Sequence, residues 1–404
     1  MPFHGGIECG GFWRRCQQLW VSATVDDVVL AEVHYSLSAE RLLAPVAPAA
    51  LPPRAAPYTV TCRAARTRGG PAVATYTSTY HVLPPNPYNG STVLLDTLSG
   101  ALLVRDAPAH FPGTPVAGGD GRTSSFFPVG YYTAWGGHLE ANFSLLAGIK
   151  AAGFTLVHPV PGGGGADAAW GSLARFAAFM DAAAAAGLWV MYDLRHTFAS
   201  APDVAAQAAL LRAHPALLLW YTADEPDGHN VAPGAVAAAY AQLQALDGYH
   251  PVAAAPNCEN YFFSAYAAGA DIVAPDVYPV GIGARVSRVY GTPCNRTYGC
   301  CGCDNCDGAP TALADRIAAM RALARIARIH KVFWGVVQAF GNSEFWSREP
   351  TGAEVVAMSE GAVEAGARGL LYWSAPTSDE IWEASSRVAK KLNSRPVARG
   401  DREL

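Results

Sequence analysis

Two spacings of apolar residues divide this chain near residue 120. Ahead of that point, short alternating runs recur at Gln18 to Thr24, Val28 to Tyr35, Tyr58 to Arg63, Ala72 to Val82 and Thr92 to Leu95. A period of two marks half-buried strands. Turn clusters such as Pro84-Pro85-Asn86-Pro87-Tyr88-Asn89-Gly90 separate the runs. The expectation for residues 1–120 is an antiparallel β-sandwich. From Phe126 onward, short apolar runs alternate with Ala-rich stretches of helical spacing, the signature of parallel βα units. Eight strands are predicted: Phe127 to Tyr132, Thr155 to Pro159, Trp189 to Asp193, Leu217 to Ala223, Val252 to Ala255, Ile272 to Val277, Val332 to Val337 and Gly369 to Trp373. Helices are predicted between them, and Asp379 to Leu392 closes the set. Gly153, Gly187, Gly248 and Gly366 each stand at a predicted helix end, where a left-handed residue is needed. Eight strands with eight helices fit a closed (β/α)8 barrel over residues 121–404, because closure leaves no edge strand.

Length agrees with that division. The chain has 404 residues, and a TIM barrel takes about 250. Apolar residues make up 51% and charged residues 15%, which describes a core-rich chain and not a disordered one. The formal net charge is −4 and no basic run occurs, which argues against nucleic acid as a partner. No apolar run reaches the ~20 residues of a membrane span.

In such barrels the chemistry gathers at the carboxyl ends of the strands. Reading outward from each end collects Tyr132 and Trp135, then Asp193, Arg195 and His196, then Asp224 and Glu225, then Asp276 and Tyr278, then Gln338, and last Tyr372 and Trp373. Carboxylates, amides, imidazoles and aromatic rings are the groups that bracket sugar hydroxyls and stack on sugar C–H faces. Glycosidic cleavage needs a proton donor plus a second carboxylate or help from the substrate. Glu225 is the candidate acid, since burial among Trp220, Tyr221 and Pro226 would raise its pKa. Asp224 and Asp276 are the candidate second carboxylates. Tyr132, Trp135, Asp193, His196, Tyr278, Gln338, Tyr372 and Trp373 are the candidate substrate contacts. Asp193 and Arg195 also fit a buried ion pair that braces the barrel. No cofactor or metal is implied. The run Gly162-Gly163-Gly164-Gly165 lacks the Lys-Ser/Thr of a phosphate loop.

Asp224-Glu225-Pro226 after strand four resembles the acid/base segment of the retaining clan that includes family-2 β-galactosidases and β-glucuronidases. Those enzymes also carry a β-sandwich ahead of the barrel. The stretch from His214 to Gly228, and Gly299-Cys300-Cys301-Gly302-Cys303-Asp304-Asn305-Cys306, are similar to a group of fungal family-2-like barrel proteins. The resemblance implies a glycosidase acting on a carbohydrate. It also exposes a departure. The clan places a nucleophilic Glu at the end of strand seven, where this chain has Gln338, and an amide cannot form a glycosyl ester. Glu344 lies six residues further on. The Asp224-Glu225 pair also resembles family-20 and family-123 N-acetylhexosaminidases, in which the Asp orients an acetamido group and no enzyme nucleophile is needed. Inversion, with Asp276 or Asp193 activating water, is the other route. A carbohydrate-binding barrel without catalysis is the alternative that Gln338 raises.

The cysteines bear on the compartment. Five of the nine lie between Cys294 and Cys306, beside the sequon Asn295-Arg296-Thr297. Two further sequons are Asn89-Gly90-Ser91 and Asn142-Phe143-Ser144. Cys300, Cys301, Cys303 and Cys306 contain a Cys-x2-Cys spacing, but crowding into seven residues favours disulfides over zinc. Cys258 is the candidate distant partner for Cys294 or one of those four. Cys9, Cys16 and Cys62 lie in the N-terminal region. The expectation is a secreted or lumenal chain. Met1-Pro2-Phe3-His4-Gly5 lacks a signal-peptide pattern, so the start is expected to be processed or truncated.

Overall fold

A computed structural model describes residues 18–26, 28–36, 51–96, 99–113, 126–282, 286, 291, 293, 309–343 and 346–394. The chain divides into two compact units, Met1–Pro87 and Tyr88–Leu404.

In the first unit, β1 (Gln18–Val25), β2 (Val28–Ser36), β3 (Tyr58–Ala65) and β4 (Ala72–Tyr80) form an antiparallel sheet in the order β2-β1-β3-β4. Along β3, Tyr58, Val60 and Cys62 are buried while Thr59 and Arg63 are exposed, the alternation a one-sided sheet requires. These side chains form a small core with Val25, Leu30 and Leu51. This is the antiparallel β unit expected ahead of the barrel.

The second unit opens with a hairpin, β5 (Thr92–Leu95) and β6 (Leu102–Arg105). Val93, Leu102, Val104 and Phe111 belong to the same core as the barrel. The stretch after Tyr88, grouped by its alternation with the N-terminal region, therefore packs with the barrel. Ser91 fixes it further. Its hydroxyl donates to the carbonyl of Leu217 at 2.8 Å, and its oxygen lies 3.0 Å from His250 Nε2. His250 Nδ1 is 2.8 Å from Asp247 Oδ2, which also accepts from Trp220 Nε1 at 2.7 Å. Serine, histidine and aspartate are thus in line, but the serine proton is committed to a carbonyl and Ser91 is fully buried. The trio is a brace, since a nucleophile must give its proton to the imidazole and meet substrate.

The barrel strands are β7 (Val129–Ala134), β8 (Leu156–Val160), β9 (Trp189–Asp193), β10 (Leu217–Asp224), β11 (Val252–Ala255), β12 (Ile272–Val273), β13 (Val332–Phe333), β14 (Gly335–Gln338) and β15 (Leu370–Ala375). Their order is β13-β12-β11-β10-β9-β8-β7-β15-β14, parallel throughout. β13 and β14 are two halves of one strand, parted at Trp334. The first half pairs with β12 and the second with β15, so this strand closes an eight-stranded barrel. Every predicted strand is present, with ends shifted by a few residues. Helices α1 (Leu145–Ala151), α2 (Ala166–Ala169), α3 (Leu173–Ala186), α4 (Ala201–Leu211), α5 (Pro233–Leu246), α6 (Phe263–Ala267), α7 (Ala312–Ile326), α8 (Gly352–Glu364) and α9 (Asp379–Ser394) follow the strands. The predicted helix-ending glycines Gly153, Gly187, Gly248 and Gly366 all have positive φ. Among the described residues, no helix is long and apolar enough to cross a membrane.

Candidate active site

Strand four delivers the central carboxylates. Its ladder with β11 slips between Tyr221 and Asp224, the kind of irregularity that re-aims side chains at a strand end. Glu225 then takes a left-handed backbone with φ of +43°, rare for a side chain of this kind. Its amide donates to the carbonyl of Ala255 at 2.8 Å, and its own carbonyl accepts from His229 N at 2.9 Å. The residue is pinned from both sides in a conformation it would not adopt alone.

Asp276 and Asn257 are hydrogen-bonding neighbours of the Glu225 carboxyl group. Burial pushes the Glu225 pKa up, and the nearby charge of Asp224 adds to this. The bonds to Asp276 and Asn257, and His229 with Nε2 at 3.9 Å, oppose the rise without cancelling it. The group is thereby kept protonated above the ordinary glutamate range. Asp276 is buried beneath it, while the side chains of Asp224 and Glu225 keep 26% and 22% of their surface exposed.

A second chain of polar groups runs beside this pair. Tyr221 hydroxyl donates to Asp224 Oδ1, and Arg195 Nη1 donates to Asp224 Oδ2 at 2.6 Å. Arg195 Nε donates to Asp193 Oδ2 at 2.7 Å, and Arg195 N donates to Asp193 Oδ1 at 2.8 Å. His158 Nε2 adds a third bond to Asp193, at 2.7 Å. Burial alone would raise the Asp193 pKa, but the Arg195 charge and His158 hold it below the ordinary value. Burial lowers the His158 pKa despite Asp193, so its imidazole is neutral and donates through Nε2.

Aromatic rings surround the cluster. Tyr132 lies tilted against His158 at 4.2 Å between centroids and meets Trp373 edge-on at 5.0 Å. Tyr278, Phe340 and Trp346 form a further wall, with Tyr278 and Phe340 at 5.0 Å and Phe340 and Trp346 at 4.8 Å. Burial, with the charges of Asp276, Glu225 and Asp224 nearby, raises the Tyr278 pKa well above the tyrosine range. Asp227 joins two loops under the site by accepting from the amides of Gly228, Asn257 and Cys258, each at 2.9 Å.

The barrel brings together Glu225, Asp224, Asp276, Asp193, Tyr132, Tyr278 and Trp373. Three sequence candidates lie elsewhere, and a fourth is exposed. Trp135 is buried among Trp170, Phe176 and Phe179, with Nε1 donating to the carbonyl of Trp170. Tyr372 stacks on Tyr131 and bonds Ser359 of α8, so it faces the helices. His196 is exposed. Gln338 is fully buried, and its amide is spent on the backbone: Oε1 accepts from Val280 N at 2.8 Å, while Nε2 donates to the carbonyls of Val280 and Phe340. It clamps the loop after strand six and presents no group to the opening. His158, Tyr221, Asn257 and His229 are the site residues missing from the sequence candidates. His158 and Asn257 do stand at predicted strand ends. Tyr221 shares the site face of strand four, three residues before Asp224. His229 lies four residues after Glu225.

Glu344, Cys9, Cys16, Cys294, Cys300, Cys301, Cys303, Cys306 and the sequon at Asn295 lie outside the described residues. Cys258 is disulfide-bonded. Cys62 is buried in the N-terminal core.

No protein-family model matches the chain, and no curated protein matches it. Solved structures similar to it include a glycosyl hydrolase family 2 member from Bacteroides cellulosilyticus, at 12% identity and a TM-score of 0.45 over 93% of this chain and 45% of that one. A β-D-glucuronidase from Dictyoglomus thermophilum matches at 11% and 0.46, over 93% of this chain and 64% of that one. A family-2 β-galacturonidase from Eisenbergiella tayi matches at 12% and 0.46, over 93% and 67%. The chain thus spans about half to two thirds of the length of these proteins. No residue role follows from a likeness at this level; the roles rest on the geometry of the strand ends.

Proposed function

We propose that this chain is a glycoside hydrolase in which Glu225 protonates the leaving oxygen and Asp224 orients an acetamido group of an N-acetylated sugar. The observation that carries the reading is the pairing of Glu225, its pKa raised by burial, with the partly exposed Asp224 at one aromatic-lined barrel mouth. Asp224 is favoured over Asp276 as the second carboxylate because Asp224 is partly exposed and Asp276 is buried under Glu225. Arg195 and Tyr221 each occupy one lone pair of Asp224, and a carboxylate has about four, so acceptors remain for a substrate N–H. The acetamido oxygen bonds the anomeric carbon as the glycosidic C–O bond breaks, and Glu225 gives its proton to the departing oxygen. Water then opens the cyclised intermediate and returns a proton to Glu225. Asp276, a neighbour of the Glu225 carboxyl group, helps fix its direction. Gln338, held in backbone bonds, takes no part.

A secreted or lumenal setting belongs to the same proposal. Its support is the Cys258 disulfide and the exposure of Asn89 and Asn142. The enzymatic test uses aryl N-acetylhexosaminides beside plain hexosides. Glu225→Gln is expected to lower kcat/KM by about 10²- to 10⁴-fold, and a thiazoline mimic of the cyclised intermediate is expected to inhibit. Unchanged turnover in Glu225→Gln removes the acid assignment. Turnover confined to plain hexosides, without thiazoline inhibition, removes the role of Asp224. Binding without turnover of any glycoside leaves a carbohydrate-binding barrel.

A further inference from the structure

The loop after β11 carries Asn257, and two buried charged groups grip its backbone. Asp227 accepts from Asn257 N and from Cys258 N, each at 2.9 Å. Arg316 Nη1 donates to the carbonyl of Asn257. Asp227, Arg316 and Asn257 are all buried. Arg316 stands on α7, where the other buried residues are Ala312, Leu313, Ile317, Met320 and Ala324. An apolar side chain would fill that place without taking a charge out of water. What the guanidinium adds there is a hold on the loop. Asn257 passes that hold to Glu225, because its side chain is a hydrogen-bonding neighbour of the Glu225 carboxyl group. Two residues earlier, the carbonyl of Ala255 accepts from Glu225 N at 2.8 Å. One short segment thus meets both the backbone and the side chain of Glu225. An asparagine amide is only two torsions from its backbone, so it goes where the backbone is held.

We propose that Arg316 is a positioning residue for Glu225: by holding the Asn257 carbonyl, it sets the Asn257 side chain against the acid. The inference rests on the reading of Glu225 as proton donor, and adds a helix residue on which that donor depends. Asp227 supports the same loop through its amides, and the Cys258 disulfide tethers the next residue. The other titratable groups about Glu225 are Asp224, Asp276, His229 and Tyr278, with Arg195 bonded to Asp224. A displacement of about 1 Å caused by a change far from the chemistry can cost about 100-fold in rate. A buried bond that fixes the loop beside the acid is a place where such a displacement would start.

Carbon-13 NMR titration of the full chain, labelled at the glutamate carboxyl carbons, tests this without relying on turnover. Glu225→Gln identifies the Glu225 signal. The observed midpoint belongs to Glu225 together with Asp224 and Asp276, and the variants compared keep all three. The Asn257 bond favours the ionised acid, so losing it raises the midpoint. Arg316→Met is expected to raise it by about 0.5–1 in pH, the equivalent of one hydrogen bond. With a turned-over glycoside, kcat is expected to fall about 10-fold or more while KM changes little. Arg316→Lys keeps a charged donor and is expected to fall between Arg316→Met and the wild type. In an Asn257→Ala background, adding Arg316→Met is expected to leave both the midpoint and kcat nearly unchanged. A merely structural Arg316 would lower thermal stability and leave the midpoint where it is. A direct effect of its charge would persist in the Asn257→Ala background. Either result overturns the proposal. So does failure of Arg316→Met, Arg316→Gln and Arg316→Lys alike to fold, since Arg316 would then serve stability alone. Glu225-dependent turnover with a midpoint indifferent to Arg316 removes this inference and leaves the enzymatic one standing. An Arg316-dependent midpoint without turnover of any glycoside does the reverse.

Discussion

Glu225 combines two unfavourable features: a left-handed backbone at φ +43° and a carboxyl group whose pKa is raised by burial. Both cost stability, and such costs concentrate where geometry serves chemistry. The pKa shift has a definite sign. Above the ordinary value of 4.5 the unfolded chain releases the Glu225 proton while the folded chain keeps it. The folded state then binds more protons, so stability falls as pH rises from 4.5 to the raised folded value. Glu225→Gln removes this dependence. Its thermal midpoint is expected to rise relative to wild type as pH increases from about 4.5 toward neutrality, and a pH series of melting curves measures the gap. A gap that narrows with rising pH would contradict the raised pKa. The carboxylates of the site were legible in the sequence because strand ends mark them. Which residue of each neighbouring pair faces inward was less so. Barrel strands are buried on both faces, so Tyr372 and Trp373, or Tyr131 and Tyr132, carry no polarity difference to separate them. Trp373 and Tyr132 turn to the mouth; Tyr372 and Tyr131 turn to the helices.

At the scale of elements, the strand-seven-to-α8 connection shows what sequence spacing can and cannot carry. The position of Gln338 at the strand end was plain, but its use was not, because the Val280 and Phe340 carbonyls that hold it come from loops without periodicity. The start of α8 is different, since its signature is local. Thr351 Oγ1 accepts from Glu354 N, and Glu354 accepts from Thr351 N, a complete capping box. Arg348 adds paired bonds at 2.7 Å to both Glu354 oxygens. These hydrogen bonds, Arg348 foremost, hold the Glu354 pKa down to about 2 against a modest opposing effect of burial. A depressed folded pKa contributes stability above the unfolded value, lost as pH falls through the folded one. Glu354→Gln is therefore expected to be less stable than wild type near neutral pH, with the deficit shrinking between pH 4.5 and about 2. Thermal melts across that window check it, and a constant deficit would mean the charge on Glu354 contributes nothing.

The whole molecule turns on where the barrel unit begins. Period-two spacing grouped everything before residue 120 together, because strands of a hairpin and strands of a sandwich alternate alike. What spacing cannot reveal is the partner each strand packs against. Val93, Leu102, Val104 and Phe111 are nearly or fully buried in the barrel core, and Ser91 joins Leu217 to the His250–Asp247 brace. Burial of each such side chain contributes about 1.5–3 kcal/mol, and a domain's net stability is only about 5–15 kcal/mol. Losing all four, with Leu217 and His250 left without Ser91, is therefore comparable to the whole margin. A chain cut to residues 88–404 is expected to fold and melt cooperatively. A chain cut to residues 121–404 is expected to melt several degrees lower or to aggregate, although it retains every barrel strand. Differential scanning calorimetry on the two fragments decides the point: equal midpoints would mean that the hairpin only decorates the barrel, and that the boundary set by alternation alone is the physical one.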